Sequence, residues 1–245
     1  MPPAFDIVVR VTTDLAANLA AVQNRIQEAA DRAGRGAGEI KLVAVSKMHP
    51  ASVVNEAIRA GASVFGENKV QEAEGKIREV GRERAEWHLI GHLQSNKARR
   101  AVQLFDVIHS IDSIDIATRL ERICEEEDRS TLPVFVQVDL GKETTKSGIS
   151  EDDLPDLVAY LRSCSRLRFD GLMILPPYFE NAEDVRPFFK RLREIRVNLA
   201  SDGAFPNGRG ELSMGMSHDF ETAIEEGATI VRVGTAIFGE RSSAA

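Results

Sequence analysis

The feature that most constrains this chain is a regular alternation between short apolar runs of strand length and longer amphipathic runs of helical length. Eight apolar runs recur, and seven helical patterns lie between them. Alternation of this kind is typical of a parallel β-sheet covered by helices. Eight repeats within 245 residues favour a closed (β/α)8 barrel over an open doubly wound sheet, because such a barrel needs ~250 residues. The predicted strands are 41–46, 62–66, 86–91, 106–111, 133–140, 168–175, 210–214 and 229–233.

The helical patterns and the lack of a linker predict a single domain. A first amphipathic helix is expected over 14–32, where apolar residues recur at spacings of three and four. No segment is rich enough in Pro, Gly or Ser to divide the chain, so 1–245 is expected to be one α/β domain with its barrel over about 40–240. The segment 5–11 is either an N-terminal arm or an extra strand. The helices expected between strands are 51–60, 69–80, 94–104, 113–127, 151–163, 182–200 and 219–226.

Composition narrows the class of protein. A hydrophobic content of 43% and a charged content of 28% are ordinary for a globular protein with a sizeable core. The net charge of -7 and the lack of a long basic stripe argue against a nucleic-acid partner. No run approaches the ~20 apolar residues of a membrane span, and the N-terminus lacks the pattern of a secretion signal. Because Cys124 and Cys164 are the only cysteines, we expect a reducing, cytoplasmic location.

Lys47 ends the first apolar run, K-L-V-A-V-S-K, and is followed at once by His49-Pro50, where a helix can begin. The run is β-branched at Val43 and Val45, as a strand buried on both faces should be. A lysine at the inner end of such a strand is partly desolvated, which leaves more free amine to attack an aldehyde. Loops at the C-terminal strand ends of a barrel build its active site. Lys47 is therefore the candidate for a Schiff-base residue.

The turns after the seventh and eighth strands suit a phosphate group. Gly215 permits a sharp turn and Ser217 lies where a helix N-cap is wanted, so backbone N–H groups would face an anion. Gly234 and Thr235 supply the same after the eighth strand, and these two loops are the recurrent phosphate position in this fold. Either motif alone is equally consistent with an ordinary turn, and Asp219 would compete for the positive helix end. A Schiff-base lysine together with a phosphate cradle predicts pyridoxal phosphate as the cofactor.

Arg232 alternates with Val231 and Val233, so it points to the opposite face of the strand from both. If the valines pack against helices, the arginine points into the barrel, where a charge is costly unless it is paired. It would then form a buried ion pair with a strand-borne acid or contact the ring nitrogen of the cofactor. An arginine at that nitrogen would keep it unprotonated, and the ring would be a poor electron sink.

Three histidines carry weaker signals. His88 and His92 are four residues apart, but they lie on a strand and its loop without a carboxylate at helical spacing. We therefore expect no metal site. His109 is expected to be a hydrogen-bonded residue of the barrel.

A series of motifs along the chain resembles a known family. The motifs are L-V-A-V-S-K-x-x-P, F-G-E-N-x-V-Q-E, W-H-x-I-G-H-L-Q-S-N-K and L-S-M-G-M-S-x-D, followed by A-I-x-x-G-A-T-x-V-R-V-G-T-A-I-F-G-E-R. In order over roughly 41–241, they are similar to the pyridoxal phosphate homeostasis protein family, a small single-domain relative of the barrel of bacterial alanine racemase. The resemblance implies a (β/α)8 barrel of the type III pyridoxal-phosphate-dependent kind without the additional C-terminal β-domain.

The resemblance also implies roles for individual residues. Lys47 would hold the cofactor as a Schiff base, and Arg232 would lie beside the pyridine nitrogen. Contacts to the phosphate are implied for Ser217, Gly234 and Thr235, and positions near the cofactor for Asn68, Ser213 and Met216. One segment departs from the family pattern: Q-V-D-L-G-K-E after the fifth strand, where the family more often has an asparagine and a serine. Lys142 and Lys146 on this loop either contact an anion or lie in solvent.

Family members are described as carriers of the cofactor and regulators of vitamin B6 and amino-acid balance, with no established turnover. The chain ends soon after the eighth predicted strand, so we expect no second domain to supply an opposing acid–base residue. Racemisation needs bases on both faces of the substrate carbon. We expect a non-catalytic monomer that hands pyridoxal phosphate to apo-enzymes. The alternatives are a racemase-like enzyme with Tyr178 or a residue of a partner chain as second base, or a Schiff-base aldolase acting on a phosphosugar.

Overall fold

The computed structural model describes residues 14–141 and 147–239 and shows a closed barrel of parallel strands in the order β1-β2-β3-β4-β5-β6-β7-β8. β8 pairs with β1, which places Arg232 beside Val43. The predicted (β/α)8 barrel is confirmed. The strands are β1 Lys41–Val45, β2 Val64–Glu67, β3 Glu86–Leu89, β4 Val107–Ile111, β5 Leu132–Gln137, β6 Leu167–Met173, β7 Glu211–Ser213 and β8 Ile230–Val233.

Helices follow the strands on the outside of the barrel. Short 3-10 turns occupy Ala37–Glu39, Arg82–Arg84, Ser95–Lys97 and Ala182–Val185. The helix predicted over 182–200 is divided into the 3-10 turn Ala182–Val185 and α7, which begins at Arg186. Pro187 lies in the first turn of α7, where a missing N–H costs little. The α-helices are α1 Leu15–Arg32, α2 Ala51–Arg59, α3 Val70–Val80, α4 Ala98–Leu104, α5 Ile114–Glu126, α6 Leu154–Ser163, α7 Arg186–Ser201, α8 Phe220–Glu225 and α9 Thr235–Phe238.

Several predicted strands are shorter in the structure than in the sequence pattern, and β5 and β6 show the reason. β5 ends at Gln137, and Val138 forms only an isolated bridge with Ile149 as the chain leaves the sheet. β6 ends at Met173, shortly before Pro176-Pro177, which have no N–H groups for the strand ladder. Both differences fall at C-terminal strand ends, where the chain leaves the sheet.

Helix α1 lies outside the alternating pattern and packs against α8 and α9. Arg25 forms two hydrogen bonds of 2.9 Å with the carboxylate of Glu221 on α8, and the Asn18 amide donates to the carbonyl of Ile237 on α9 at 3.0 Å. The buried apolar face of α1 consists of Leu15, Leu19, Val22, Ile26, Ala29 and Ala30. Because α9 is only four residues long, α1 supplies the apolar cover that the last helix of the ring cannot.

The barrel interior contains both apolar and polar side chains. Val231 and Val233 belong to the outer core shared with the helices, so Arg232 points inward, as the alternation predicts. The polar residues Ser213, His88 and His109 are buried as well. The apolar part of the interior is formed by Val43, Val64, Val107, Phe135, Met173 and Ile230. A polar interior is unusual for a barrel core and directs attention to the residues that line it.

Some predictions fall on residues that the structure does not describe. These are the segment 5–11 and the strand-5 loop residues Lys142 and Lys146, and the predictions for them stay predictions. The outer limits of the single domain, 1 and 245, also lie outside the described ranges. Within 14–141 and 147–239, none of the helices combines the length and the apolar character that crossing a membrane requires.

Candidate functional site

A cavity of about 660 Å³ opens at the C-terminal ends of the strands. All predicted site residues except Ser213 line it: Lys47, Asn68, Met216, Ser217, Arg232, Gly234 and Thr235. Ser213 is fully buried and lies behind Arg232. A second cavity of about 730 Å³ lies at the opposite end of the barrel and includes Lys41 and Glu86. Barrel chemistry resides at the C-terminal ends, so we take the first cavity as the candidate site.

Lys47 is the second residue after β1, and the residue before it, Ser46, is held by a buried ion pair. The ammonium of Lys76 lies 2.5 Å from a carboxylate oxygen of Glu67 and donates to the carbonyl of Ser46 at 2.7 Å. The hydroxyl of Ser46 donates to the same carboxylate at 2.6 Å. Both the side chain and the carbonyl of Ser46 are therefore fixed where the chain enters Lys47.

The residue after Lys47 is held by the same group of charges. Met48 has a φ of 67°, in the left-handed region that residues other than glycine adopt rarely. Its N–H donates to the carboxylate of Glu72, which also lies 3.3 Å from the ammonium of Lys76. We call Glu67, Glu72 and Lys76 the Lys76 cluster. It holds the backbone on both sides of Lys47, so these charges set the direction of that residue.

The Lys76 cluster was not predicted from the sequence, although its signals are present there. Both glutamates stand in the motif F-G-E-N-x-V-Q-E, and Glu72 and Lys76 have the four-residue spacing of a helical ion pair. Burial raises the pKa of the Glu67 carboxyl, and the adjacent Lys76 ammonium offsets part of that rise. The pair remains a close contact of opposite charges in a dry environment, where losing one partner is costly.

Ser217 does not cap the helix after β7, contrary to the expectation from sequence. Asp219 occupies that position before α8, and its carboxylate accepts the N–H of Met216 at 2.6 Å. The hydroxyl oxygen of Ser217 instead accepts N–H groups of Gly234 at 3.1 Å and Ala236 at 3.4 Å. The side chain thus joins the turn after β7 to the turn after β8. Because it accepts two N–H groups, its own O–H remains available to donate.

The two glycines in these turns differ in how their surroundings would receive a side chain. Gly215 has a φ of 92°, and a Cβ there would lie 2.6 Å from the Cβ of Ala223, so the sharp turn excludes any side chain. Gly234 has a φ of -115°, and a Cβ there would make an ordinary contact of 3.4 Å with the carbonyl of Val45. Neither the backbone nor the neighbours demand glycine at 234. Because Gly234 lines the cavity, its missing side chain leaves space for a ligand group beside the hydroxyls of Ser217 and Thr235.

Arg232 is 3% exposed and holds its guanidinium against neutral partners. It donates to the hydroxyl of Ser213 at 2.6 Å and to the carbonyl of Ile174 at 2.8 Å. Among residues 14–141 and 147–239 it forms no ion pair, so the buried ion pair considered from sequence is not the arrangement found. Burial lowers its pKa to about 10, which leaves the group charged near neutral pH. A buried cation that also lines the cavity is suited to an acceptor atom of a ligand.

The three histidines have partners other than a metal. His109 contacts the hydroxyl of Ser213 through Nδ1 at 2.9 Å and Nδ1 of His88 through Nε2 at 2.8 Å, which confirms it as a hydrogen-bonded barrel residue. The second nitrogen of His88 lies 2.7 Å from Glu86. His92 pairs with Asp112 at 3.2 Å. In the described part of the chain, no group of three or more His, Cys, Asp or Glu side chains could hold a metal ion.

The donors around the cavity are suited to pyridoxal phosphate. They combine a primary amine for an aldehyde, a buried cation for a ring nitrogen, and hydroxyls beside a side-chain-free glycine for a phosphate. Residues 17–242 match the family model described as alanine racemase, N-terminal domain. The fold and the cavity therefore define a barrel of the alanine racemase N-terminal type.

Individual relatives define the family more narrowly. A protein of Aquifex aeolicus is 44% identical over 91% of this chain and 96% of its own length, and one of Escherichia coli K12 is 45% identical over 93% and 97%. Both are named pyridoxal phosphate homeostasis protein. The chain belongs to this family, which confirms the resemblance seen in its motifs.

A solved relative has the same architecture. PipY of Synechococcus elongatus PCC7942 is 38% identical, and its structure covers 92% of this chain and 100% of its own. The TM-score is 0.83 for the form without pyridoxal phosphate and 0.81 for the form with it bound.

Proposed function

We propose that this protein binds pyridoxal 5′-phosphate in the cavity at the C-terminal strand ends and acts in pyridoxal phosphate homeostasis as a carrier and regulator. The observation that carries the proposal is one cavity lined by the Lys47 amine, the Arg232 guanidinium and the hydroxyls of Ser217 and Thr235. The names of the relatives and the PipY structure with the cofactor bound support the same ligand.

Lys47 is the proposed attachment point. A neutral lysine amine condenses with an aldehyde and one water molecule leaves, which forms a Schiff base. When bound, pyridoxal phosphate supplies a ring that withdraws electrons from the carbon attached to the nitrogen. The Lys76 cluster holds the backbone of Ser46 and Met48 and so keeps the amine of Lys47 at the rim of the cavity.

Arg232 is proposed to face the ring nitrogen. A guanidinium has donors only, so it holds an acceptor nitrogen in its unprotonated form. An unprotonated ring withdraws electrons poorly, which favours retention of the cofactor over carbanion chemistry. Ser213 orients Arg232 from behind, while Asn68 and Met216 are proposed to lie beside the ring.

The phosphate is proposed to bind between the turns after β7 and β8. Ser217 accepts two backbone N–H groups, and this polarises its hydroxyl as a donor toward an oxyanion. Thr235 supplies a second hydroxyl, and Gly234 leaves the space that the oxygens need. Asp219 does not occupy this position, because its carboxylate is turned toward Met216.

The direct test is the absorption spectrum of the purified protein before and after borohydride reduction, followed by mass mapping of the labelled residue. We expect a visible band that reduction bleaches and a label on Lys47. Lys47→Ala should abolish both, whereas Lys69→Ala, at an exposed lysine just after β2, should retain them. A label on another residue, or none, would contradict the proposal.

The carrier role requires its own measurement. We propose a cytoplasmic, single-domain monomer over 1–245 that releases the cofactor to apo-enzymes. Activation of an apo-enzyme by the loaded protein should proceed faster than activation by cofactor released freely from it. Equal rates would remove the carrier role while leaving cofactor binding intact. Sedimentation of the loaded protein tests the monomer.

A racemase-like enzyme is the second candidate, because Tyr178 reaches the cavity. Its side chain is 76% exposed and its ring lies 5.5 Å from that of His218, so it is placed at the mouth on the side of β6. Incubation with each chiral amino acid in deuterated water tests this function. Sustained exchange of the α-hydrogen that Lys47→Ala and Tyr178→Phe both abolish would establish catalysis, whereas no exchange above the rate of free cofactor would exclude it.

A further inference from the structure

A continuous row of hydrogen bonds crosses the barrel interior from Arg232 to the opposite end. The guanidinium of Arg232 lies 2.6 Å from the hydroxyl of Ser213, which lies 2.9 Å from Nδ1 of His109. Nε2 of His109 lies 2.8 Å from Nδ1 of His88, and Nε2 of His88 lies 2.7 Å from a carboxylate oxygen of Glu86. We call Glu86, His88, His109 and Ser213 the histidine relay. It joins β3, β4, β7 and β8 through side chains.

The chemistry of the two ends sets one direction of donation along the relay. A guanidinium can only donate and an ionised carboxylate can only accept. His88 must therefore donate from Nε2 to Glu86, which leaves its Nδ1 as an acceptor for His109. A neutral His109 that donates from Nε2 has Nδ1 free to accept the hydroxyl proton of Ser213. The oxygen of Ser213 then presents its lone pairs to Arg232.

The surroundings of each group support these protonation states. The hydrogen bond from His88, with a further one from Lys41 at 2.9 Å, lowers the pKa of the Glu86 carboxyl to about 2. Burial lowers the pKa of His88, and burial together with the nearby charge of Arg232 lowers the pKa of His109. Two neutral imidazoles between an ionised acid and a cation give the relay a single arrangement of protons.

We propose that Glu86, His88 and His109 are positioning residues for Arg232, because their relay fixes the Ser213 hydroxyl as the acceptor that orients the guanidinium toward the cavity. Arg232 has no direct ion pair among the described residues, and the relay connects its buried cation to the carboxylate of Glu86 at the far mouth of the barrel. The expected effect on cofactor binding rests on the proposed function of Arg232. The orientation of its guanidinium by the relay does not depend on that function.

The first experiment uses the protein without cofactor. Isotope-labelled histidine should show His88 and His109 as neutral rings protonated at Nε2, with both protons protected from solvent exchange. The Nη protons of Arg232 should give separate, slowly exchanging resonances, because Ser213 and Ile174 hold them. Protonation at Nδ1 of either ring, or averaged Arg232 resonances, would overturn the relay. This measurement does not depend on whether the protein binds pyridoxal phosphate.

The second experiment interrupts the relay in the loaded protein. His109→Phe should weaken binding of pyridoxal phosphate by about tenfold, or about 1.4 kcal/mol. It should also move the pH at which the absorption bands of the bound cofactor interconvert, while borohydride still labels Lys47. His109→Asn restores an acceptor near Nδ1 but not the contact to His88, so we expect partial rescue of affinity.

Glu86→Gln provides a variant at a half-exposed position that leaves the barrel core intact. It removes the negative end of the relay. We expect the affinity for pyridoxal phosphate to fall about threefold and the pH profile to change in the same direction as in His109→Phe. Asp170→Asn is the matched control, because it neutralises a carboxylate at the same mouth that pairs with Arg168 instead. The positioning role would be refuted if folded His109→Phe and Glu86→Gln bound the cofactor with affinities within twofold of the parent and showed unchanged pH profiles.

Discussion

The two sides of the cavity are held by buried polar networks of different kinds. On the Lys47 side, the Lys76 cluster concentrates three charges within β2 and α3 and grips backbone groups. On the Arg232 side, the histidine relay separates its charges by neutral groups and orients a side chain. The strained backbone at Met48 is held by strong charges close to it in the structure. The guanidinium of Arg232, in contrast, is oriented by a series of single hydrogen bonds between neutral groups.

Breaking the Lys76 cluster should have the largest effect on stability. Lys76→Met leaves the buried carboxylate of Glu67 without its counter-ion, and we expect a loss of about 3–5 kcal/mol in the free energy of unfolding. Urea denaturation measures it. The double variant Lys76→Met/Glu67→Gln should recover part of the loss, because no unpaired buried charge remains. A single variant within about 1 kcal/mol of the parent would show that the cluster is not a stabilising ion pair.

The glycines on the Arg232 side separate a structural requirement from a binding one. Gly215→Ala should destabilise the fold by about 2–4 kcal/mol, because the residue has a positive φ and its Cβ would collide with Ala223. Gly234→Ala should change the free energy of unfolding by less than about 1 kcal/mol, yet weaken cofactor binding, since it fills the cavity. Thermal denaturation and cofactor titration of both variants test the contrast. Equal effects of the two substitutions on stability would contradict it.

The two sides should respond oppositely to pH through Glu67 and Glu86. The pKa of Glu86 is lowered from 4.5 to about 2, so its contribution is present above pH 4.5 and is lost as pH falls toward 2. Because Glu86 is partly exposed, we expect its contribution to the free energy of unfolding to be about 1–2 kcal/mol. The pKa of Glu67 is raised, so its contribution is present below the unfolded pKa and is lost as pH rises through the folded one.

Stability measured against pH in Glu86→Gln and Glu67→Gln checks these signs. Glu86→Gln should lose less stability than the parent between pH 4.5 and 2. Glu67→Gln should remove the decline above the unfolded carboxyl pKa. The same direction of change in both variants would mean that the two networks do not differ in the way the contacts indicate.

The smallest expected effect concerns the strained residue beside Lys47. Met48→Gly relieves a φ of 67° and should stabilise the fold by about 0.5 kcal/mol, because the strain relieved exceeds the entropy that glycine loses. Thermal denaturation measures the change. The exposed side chain of Met48 contributes little packing, so a clear destabilisation would show that the Lys76 cluster does not impose this conformation.

Much of the fold was predictable because periodicity is a local property. The alternation of apolar runs with helical patterns predicted every strand of the barrel, and the position of Lys47 at a strand end followed from it. Alternation within β8 predicted that Arg232 points inward. The strand ends and the start of α7 were less predictable, because they depend on where the chain leaves the sheet.

The sequence by itself determined the barrel, its strand-end residues and the family, since spacing and motif are properties of neighbouring residues. Only the tertiary structure decided the partners of those residues. Ser217 binds the start of α9 rather than capping α8, and His109 meets Ser213 across 104 positions of chain. Such pairs exist only once eight strands close into a barrel, because closure brings residues of distant strands into its interior and sets which side chains face each other there.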